Sequence, residues 1–233
     1  MPQLGRRVVA EAIGTALLLV AIVGSGIMGE RLDGGNIAVA LLANSIATGG
    51  ALLCLIAALG PISGAHFNPA VSLADAMRGG LAWRELPLYI SAQVLGAAAG
   101  VASAHLMFGL PAIVLSHRAR TGPAMAFSEF LATFGLLLVI WGCVRFRKDI
   151  TPFAVAAYIV GAYWFTSSTS FANPAVTIAR SLSDTFAGIR LADVPAFVAV
   201  QLLGAISATL LFAWLASIPK RDALEAVVPH GTR

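Results

Sequence analysis

Charge is scarce in this chain. Of its 233 residues only 11% are Asp, Glu, Lys or Arg, while 58% are hydrophobic; soluble domains carry roughly 25% charged residues. That shortage excludes a soluble globular protein and places the chain in a lipid bilayer. Cysteine is nearly absent too: Cys54 and Cys143 stand alone, far apart and each inside apolar sequence, which excludes a disulfide framework and reads as two core thiols. No Ser-His-Asp arrangement, phosphate-binding glycine loop or spaced cluster of metal ligands stands out, so no catalytic residue, metal or cofactor is expected. No basic run offers a nucleic-acid surface either, although the net charge is +4.

What the chain has instead is apolar length. Stretches of about 20 residues, enough to cross a ~30 Å hydrocarbon core, lie near 8–28, 37–59, 86–109, 122–144, 151–169 and 194–218. Six crossings are expected. Arg6 and Arg7 before the first could open a cleaved signal peptide, but the run is long, contains Glu11 and is followed by five more. It is read as the first membrane helix. Ten Lys or Arg residues fall in the termini and the loops on their side of the membrane, against five on the other, so both termini are expected in the cytoplasm. The expected location is the plasma membrane, or the inner membrane of a bacterium.

The polar interruptions carry the organisation. Asn68-Pro69-Ala70-Val71 and Asn173-Pro174-Ala175-Val176 repeat the same four residues, once in each half. Asn suits a helix N-cap, and Pro suits the first helical position because it lacks the N–H that would be orphaned there. Each copy therefore starts a helix, expected to run from Asn68 to about Met77 and from Asn173 to about Leu182. Ten residues make roughly 15 Å of helix, half a membrane thickness. Other segments also pair between the halves: Glu11 to Thr15 with Glu129 to Thr133, and Gln93 to Ala97 with Gln201 to Ala205. One membrane channel domain over 1–233 is expected: a repeat over about 1–109, a crossover near 110–121, a second repeat over about 122–218 and a cytoplasmic tail near 219–233. Three crossings per repeat invert the second copy relative to the first. The fold class is an all-α membrane protein, six transmembrane helices plus two re-entrant half-helices.

Loop-to-helix junctions at membrane depth need protein or a water-filled cavity around them, and a pore is the simplest solution. The N-terminus of each half-helix carries about half a positive charge, so two meeting at the midplane repel cations. If the Oδ1 atoms of Asn68 and Asn173 cap their own helices, the Nδ2 groups are left as donors facing the lumen. Glu11 and Glu129 are ionisable residues in apolar spans and functional candidates; the preferred role is to anchor the exposed backbone of the re-entrant loops. His66 either supports its loop or lines the mouth of the pore. Glycines 14, 24, 26, 49, 50, 96, 100 and 204 read as close-packing positions.

These motifs resemble the aquaporin and aquaglyceroporin family. Ser63 to Val71 matches the family's first motif, Asn173-Pro174-Ala175 its second, and Glu11 to Thr15 and Glu129 the openings of the repeats. The resemblance implies one pore per subunit, a homotetramer, and water and small neutral solutes as the passing partners. It also implies a second constriction, placed by spacing at Thr48, Gly161, Ser170 and Val176. Where the family carries bulky rings and an Arg, this chain has Thr48, Gly161 and Val176; Thr177 replaces the Asp of glycerol-selective members. The expectation is a wide, uncharged filter passing glycerol, urea, arsenite, antimonite and methylated arsenicals; bacterial aquaglyceroporins associated with arsenic resistance resemble this pattern. An ordinary water channel, a secondary transporter and a non-conducting structural member are the competing readings.

Overall fold

The computed structural model describes residues 2–217; the expected tail over 219–233 lies outside them. Eight α-helices follow in order: α1 (Leu4–Leu32), α2 (Ile37–Ser63), α3 (Pro69–Met77), α4 (Leu86–Met107), α5 (Pro123–Phe146), α6 (Thr151–Phe165), α7 (Pro174–Arg180) and α8 (Val194–Leu215). No strand occurs among the described residues. Five of the helices are long and apolar enough to cross a membrane, α1, α2, α4, α5 and the stretch ending in α8.

The fifth expected span, 151–169, holds a helix shorter than expected. α6 stops at Phe165 after 15 residues, roughly 22 Å at 1.5 Å per residue, and a 3-10 turn over Lys148–Ile150 precedes it. It ends early because Thr166 is already extended, φ −110° and ψ 139°, as the chain turns back into the body of the protein. The second half-helix is also shorter than expected: α7 has 7 residues and ends at Arg180, against 9 in α3.

Packing follows the small residues. α1 lies against α4 and α2, and α5 lies against α8 and α6. A Cβ on Gly96 would stand 2.2 Å from the carbonyl oxygen of Ala12, and one on Gly100 equally close to that of Ala16. In the other half, a Cβ on Gly204 would meet the Phe130 carbonyl at 2.6 Å. Backbone meets backbone at these crossings, the arrangement by which membrane helices associate when no hydrophobic driving force separates protein from lipid. Leu95 and Leu203, two residues after the buried Gln93 and Gln201, are 70% and 56% exposed, so the same faces of α4 and α8 point outward.

The ends of the bundle are marked by polar ties. At the end bearing the N-terminus, Arg7 pairs with Glu85 at 2.9 Å and donates to the Tyr89 hydroxyl, which donates to the Ser63 carbonyl. At the far end Arg31 reaches the Phe108 carbonyl, and the 110–122 crossover is laced to the segment after α7 by Val114 to Leu182 and Ser116 to Ser181.

Candidate functional site: a lumen between two half-helices

Two short loops, 64–68 and 169–173, bring α3 and α7 into the interior. Both adopt the left-handed backbone region at non-glycine residues: Ala65 and Phe67 (φ 50° and 49°) in the first, Thr169, Ser170 and Ala172 (φ 64°, 50° and 50°) in the second. Ala65 and Ser170 both stand three residues before the Asn, and Phe67 and Ala172 one before it. Such conformations cost of order 1–3 kcal/mol each and persist only where the surroundings hold them.

Two carboxylates do the holding. Glu11, fully buried, accepts from the backbone N–H of His66 (3.0 Å) and Phe67 (2.7 Å), from Ser63 Oγ (2.6 Å) and from Gln93 Nε2 (2.8 Å). Glu129, equally buried, accepts from Phe171 N and Ala172 N, both at 2.8 Å, and from Gln201 Nε2 at 2.6 Å. Every one of these bonds is charge-assisted, the stronger class. His66 adds Nδ1 to Ser72 Oγ at 3.1 Å, and its Nε2 lies 3.6 Å from Asp75 Oδ2. Its ring also lines the cavity, so it combines both of the roles considered for it.

Each Asn caps its own helix. Asn68 Oδ1 accepts from Ala70 N at 2.9 Å, and Asn173 Oδ1 from Ala175 N at 2.9 Å and Val176 N at 3.3 Å. Pro69 and Pro174 occupy the first helical positions. The Nδ2 groups differ from expectation. Asn68 Nδ2 donates to the Ala172 carbonyl at 2.8 Å, and Asn173 Nδ2 to the Phe67 carbonyl at 2.7 Å. Each amide thus ties the two loops reciprocally and retains one N–H rather than two. The reason is spatial: the left-handed residue before each Asn turns its carbonyl toward the opposite half.

A cavity of about 180 Å³ lies inside the bundle, lined by Asp75 and Val144 toward the N-terminal end, Asn68 and Asn173 in the middle, and Thr48, Tyr163 and Arg180 toward the far end. Its wall combines aliphatic side chains, among them Leu18, Ile22 and Ile159, with backbone from the two loops. Of the four positions assigned to a second constriction, Thr48, Ser170 and Val176 line it; Gly161 does not. α6 turns Val155, Ile159 and Tyr163 inward, four residues apart on one helical face, and Gly161 falls on another. A Cβ added at Gly161 would meet the Phe165 ring first, at 3.6 Å.

Two residues therefore correct the wide, uncharged filter expected from sequence. Tyr163 supplies a ring, and its hydroxyl lies 3.1 Å from Thr48 Oγ1. Arg180, one helical turn beyond Val176, supplies a cation: it is 2% exposed, lines the cavity, and sets its guanidinium carbon 3.4 Å from the Phe171 ring centroid. A four-residue step along a helix keeps the same face, and that is the signal in the sequence that could have found Arg180. Thr177, at the position of the glycerol-channel Asp, is buried and tied to Gln201 instead of facing the lumen.

The architecture has close counterparts. The aquaglyceroporin from Plasmodium falciparum superposes with a TM-score of 0.69 over 97% of this chain and 100% of its own, at 21% identity, a likeness of fold. Aquaglyceroporin AqpS from Rhizobium meliloti (strain 1021) is 53% identical over 98% of this chain and 97% of its own length. Probable aquaporin NIP7-1 from Arabidopsis thaliana is 29% identical over 89% of this chain and 75% of its own. The family model for the major intrinsic proteins matches residues 1–170, and with two capped half-helices around one lumen the chain belongs to that family of membrane channels, with the aquaporin fold.

Proposed function

We propose that the protein is a passive channel for small neutral solutes larger than water: glycerol, urea, and trihydroxy metalloids such as arsenite and antimonite, with methylated arsenicals and water also passing. The observation that carries this reading is the lumen's far end, where Thr48, Ser170 and Val176 stand at positions the family fills with rings and an Arg. Their small, weakly polar side chains, alongside the Tyr163 ring and the Arg180 guanidinium, support room for a polyol there. Thr48, Tyr163 and Ser170 bring hydroxyl-bearing side chains to this stretch of wall, beside aliphatic ones that suit the solute's carbon skeleton. The one N–H left on each of Asn68 and Asn173, in the middle of the lumen, donates to a passing oxygen. The helix N-termini there oppose cations. Both Glu side chains serve as loop anchors, their oxygens being taken up by backbone and Gln donors. The 53% identity to an aquaglyceroporin over nearly the whole length supports the polyol class.

Stopped-flow light scattering on proteoliposomes, comparing water, glycerol, urea and arsenite, tests the reading. Glycerol and at least one of the other solutes are expected to equilibrate severalfold faster than in empty liposomes. Acceleration of water alone would favour an ordinary water channel, and no acceleration of any solute would overturn conduction.

A further inference from the structure

At the far end of the lumen the polar groups are mismatched in sign. Arg180 is 2% exposed; its Nε donates to the Ala187 carbonyl, and neither Nη nitrogen has a protein partner among the described residues. No carboxylate pairs with it there either. A second guanidinium, Arg120, lies 4.8 Å from the Phe171 ring centroid and donates from Nε to the Gly188 carbonyl and from Nη1 to the Ser168 carbonyl and Thr169 Oγ1. The buried Glu129 carboxylate is consumed by the loop it holds. Ser170 Oγ, on the cavity wall, is buried with no partner at all.

A buried charge without a counter-charge is expensive, and hydrogen bonds to an ionised partner are stronger than those to a neutral one. Here both deficits are of one kind, positive charge and unmade hydrogen bonds, and both belong to residues that line the same cavity. The group that satisfies them is a negatively charged oxygen. The two Nη atoms form a planar fork, which matches a group presenting two oxygens.

We infer that the lumen holds a binding site for a small monovalent oxyanion, formed by the Arg180 fork with Ser170 Oγ, and that an anion bound there competes with neutral solute for the same space. The inference deepens the channel reading, because the site lies on the solute's path. It also returns a fixed positive charge to the far end that Val176 leaves without one.

Nitrate is the probe: planar, monovalent and unprotonated at neutral pH. In the purified full-length protein, nitrate replacing chloride at constant ionic strength raises the melting temperature, because a ligand that binds only the folded state stabilises it. Arg180→Gln abolishes the nitrate-specific shift, and Arg118→Gln, at an exposed arginine outside the site, retains it. In proteoliposomes, nitrate slows glycerol flux at least twofold and saturably relative to chloride. If Arg180→Gln does not fold, Arg180→Lys provides the same test, since losing the fork raises the half-effective nitrate concentration at least threefold. Equal melting temperatures in nitrate and chloride, or a shift unaltered in the Arg180 variants, overturn the site. The melting shift is read without any flux, so an absence of glycerol conduction sinks the channel reading alone.

Discussion

At the scale of single residues, Asn68 and Asn173 do two structural jobs with one side chain each. The oxygen caps a helix and one N–H ties the opposite loop, while the other N–H has no protein partner among the described residues and on the proposed reading serves a solute. Val176 shows how a residue's meaning depends on its neighbours one turn away. On the proposed reading it takes a cation out of the constriction, yet Arg180 brings one to the cavity from the same helical face. Val176→Arg places a long side chain at a lumen position and sets a second guanidinium near Arg180, so the opening narrows and both charges repel. Glycerol flux is expected to fall at least tenfold and water flux much less, measured side by side in one proteoliposome preparation. Equal losses of the two, with folding intact, would remove Val176 from the constriction.

At the scale of elements, the re-entrant loops are strained structures held by buried acids. Glu129→Gln keeps the shape but replaces one acceptor oxygen by an NH2 group pointed at backbone donors. The expected cost is about 2–4 kcal/mol, in line with an unsatisfied buried donor plus loss of a charge-assisted bond. It should appear as a lowered melting temperature together with reduced glycerol flux, because the misplaced loop carries Ser170 and Asn173. A melting temperature within a degree of the parent would contradict the anchoring role. The glycine crossings act on the same scale. Gly100→Leu drives a side chain into the Ala16 carbonyl and Leu19, separating α1 from α4. The protein should lose monodispersity in detergent on size-exclusion chromatography, whereas Gly50→Ala, with nothing within 4 Å, should elute like the parent.

Across the whole molecule, the two halves bury matching polar clusters: Glu11, Gln93 and Ser72 in one, Glu129, Gln201 and Thr177 in the other. Neither cluster contains a free carboxylate for a coupling ion, since the donors on Glu11 and Glu129 are structural. Flux is therefore expected to be linear in the solute gradient and unchanged when sodium is replaced by potassium, measured as initial rates over a hundredfold concentration range. Saturation with ion dependence would instead indicate a transporter. The outward apolar faces, with Leu95, Leu203, Phe127 and Leu210 all more than half exposed, meet lipid or neighbouring subunits. The homotetramer is proposed on the family resemblance and is testable by native mass spectrometry.

By itself the sequence determined the membrane setting, the paired half-helices and the residues that cap them, because these rest on local quantities: apolar run length, the caps that Asn and Pro supply, and repetition of a motif. It also marked Glu11 and Glu129, since a carboxylate in an apolar span needs a reason. Only the tertiary structure decided which side chains face the lumen. Spacing alone put Gly161 at the constriction, but α6 ends at Phe165 and turns Tyr163 inward, and helical phase is set by packing against α2 and α5 rather than by distance from a motif. Nor could composition reveal that Arg180 points into the cavity with no acid beside it. Whether a buried charge is paired depends on residues far apart in the chain, and its surroundings exist only after the loops have folded around it.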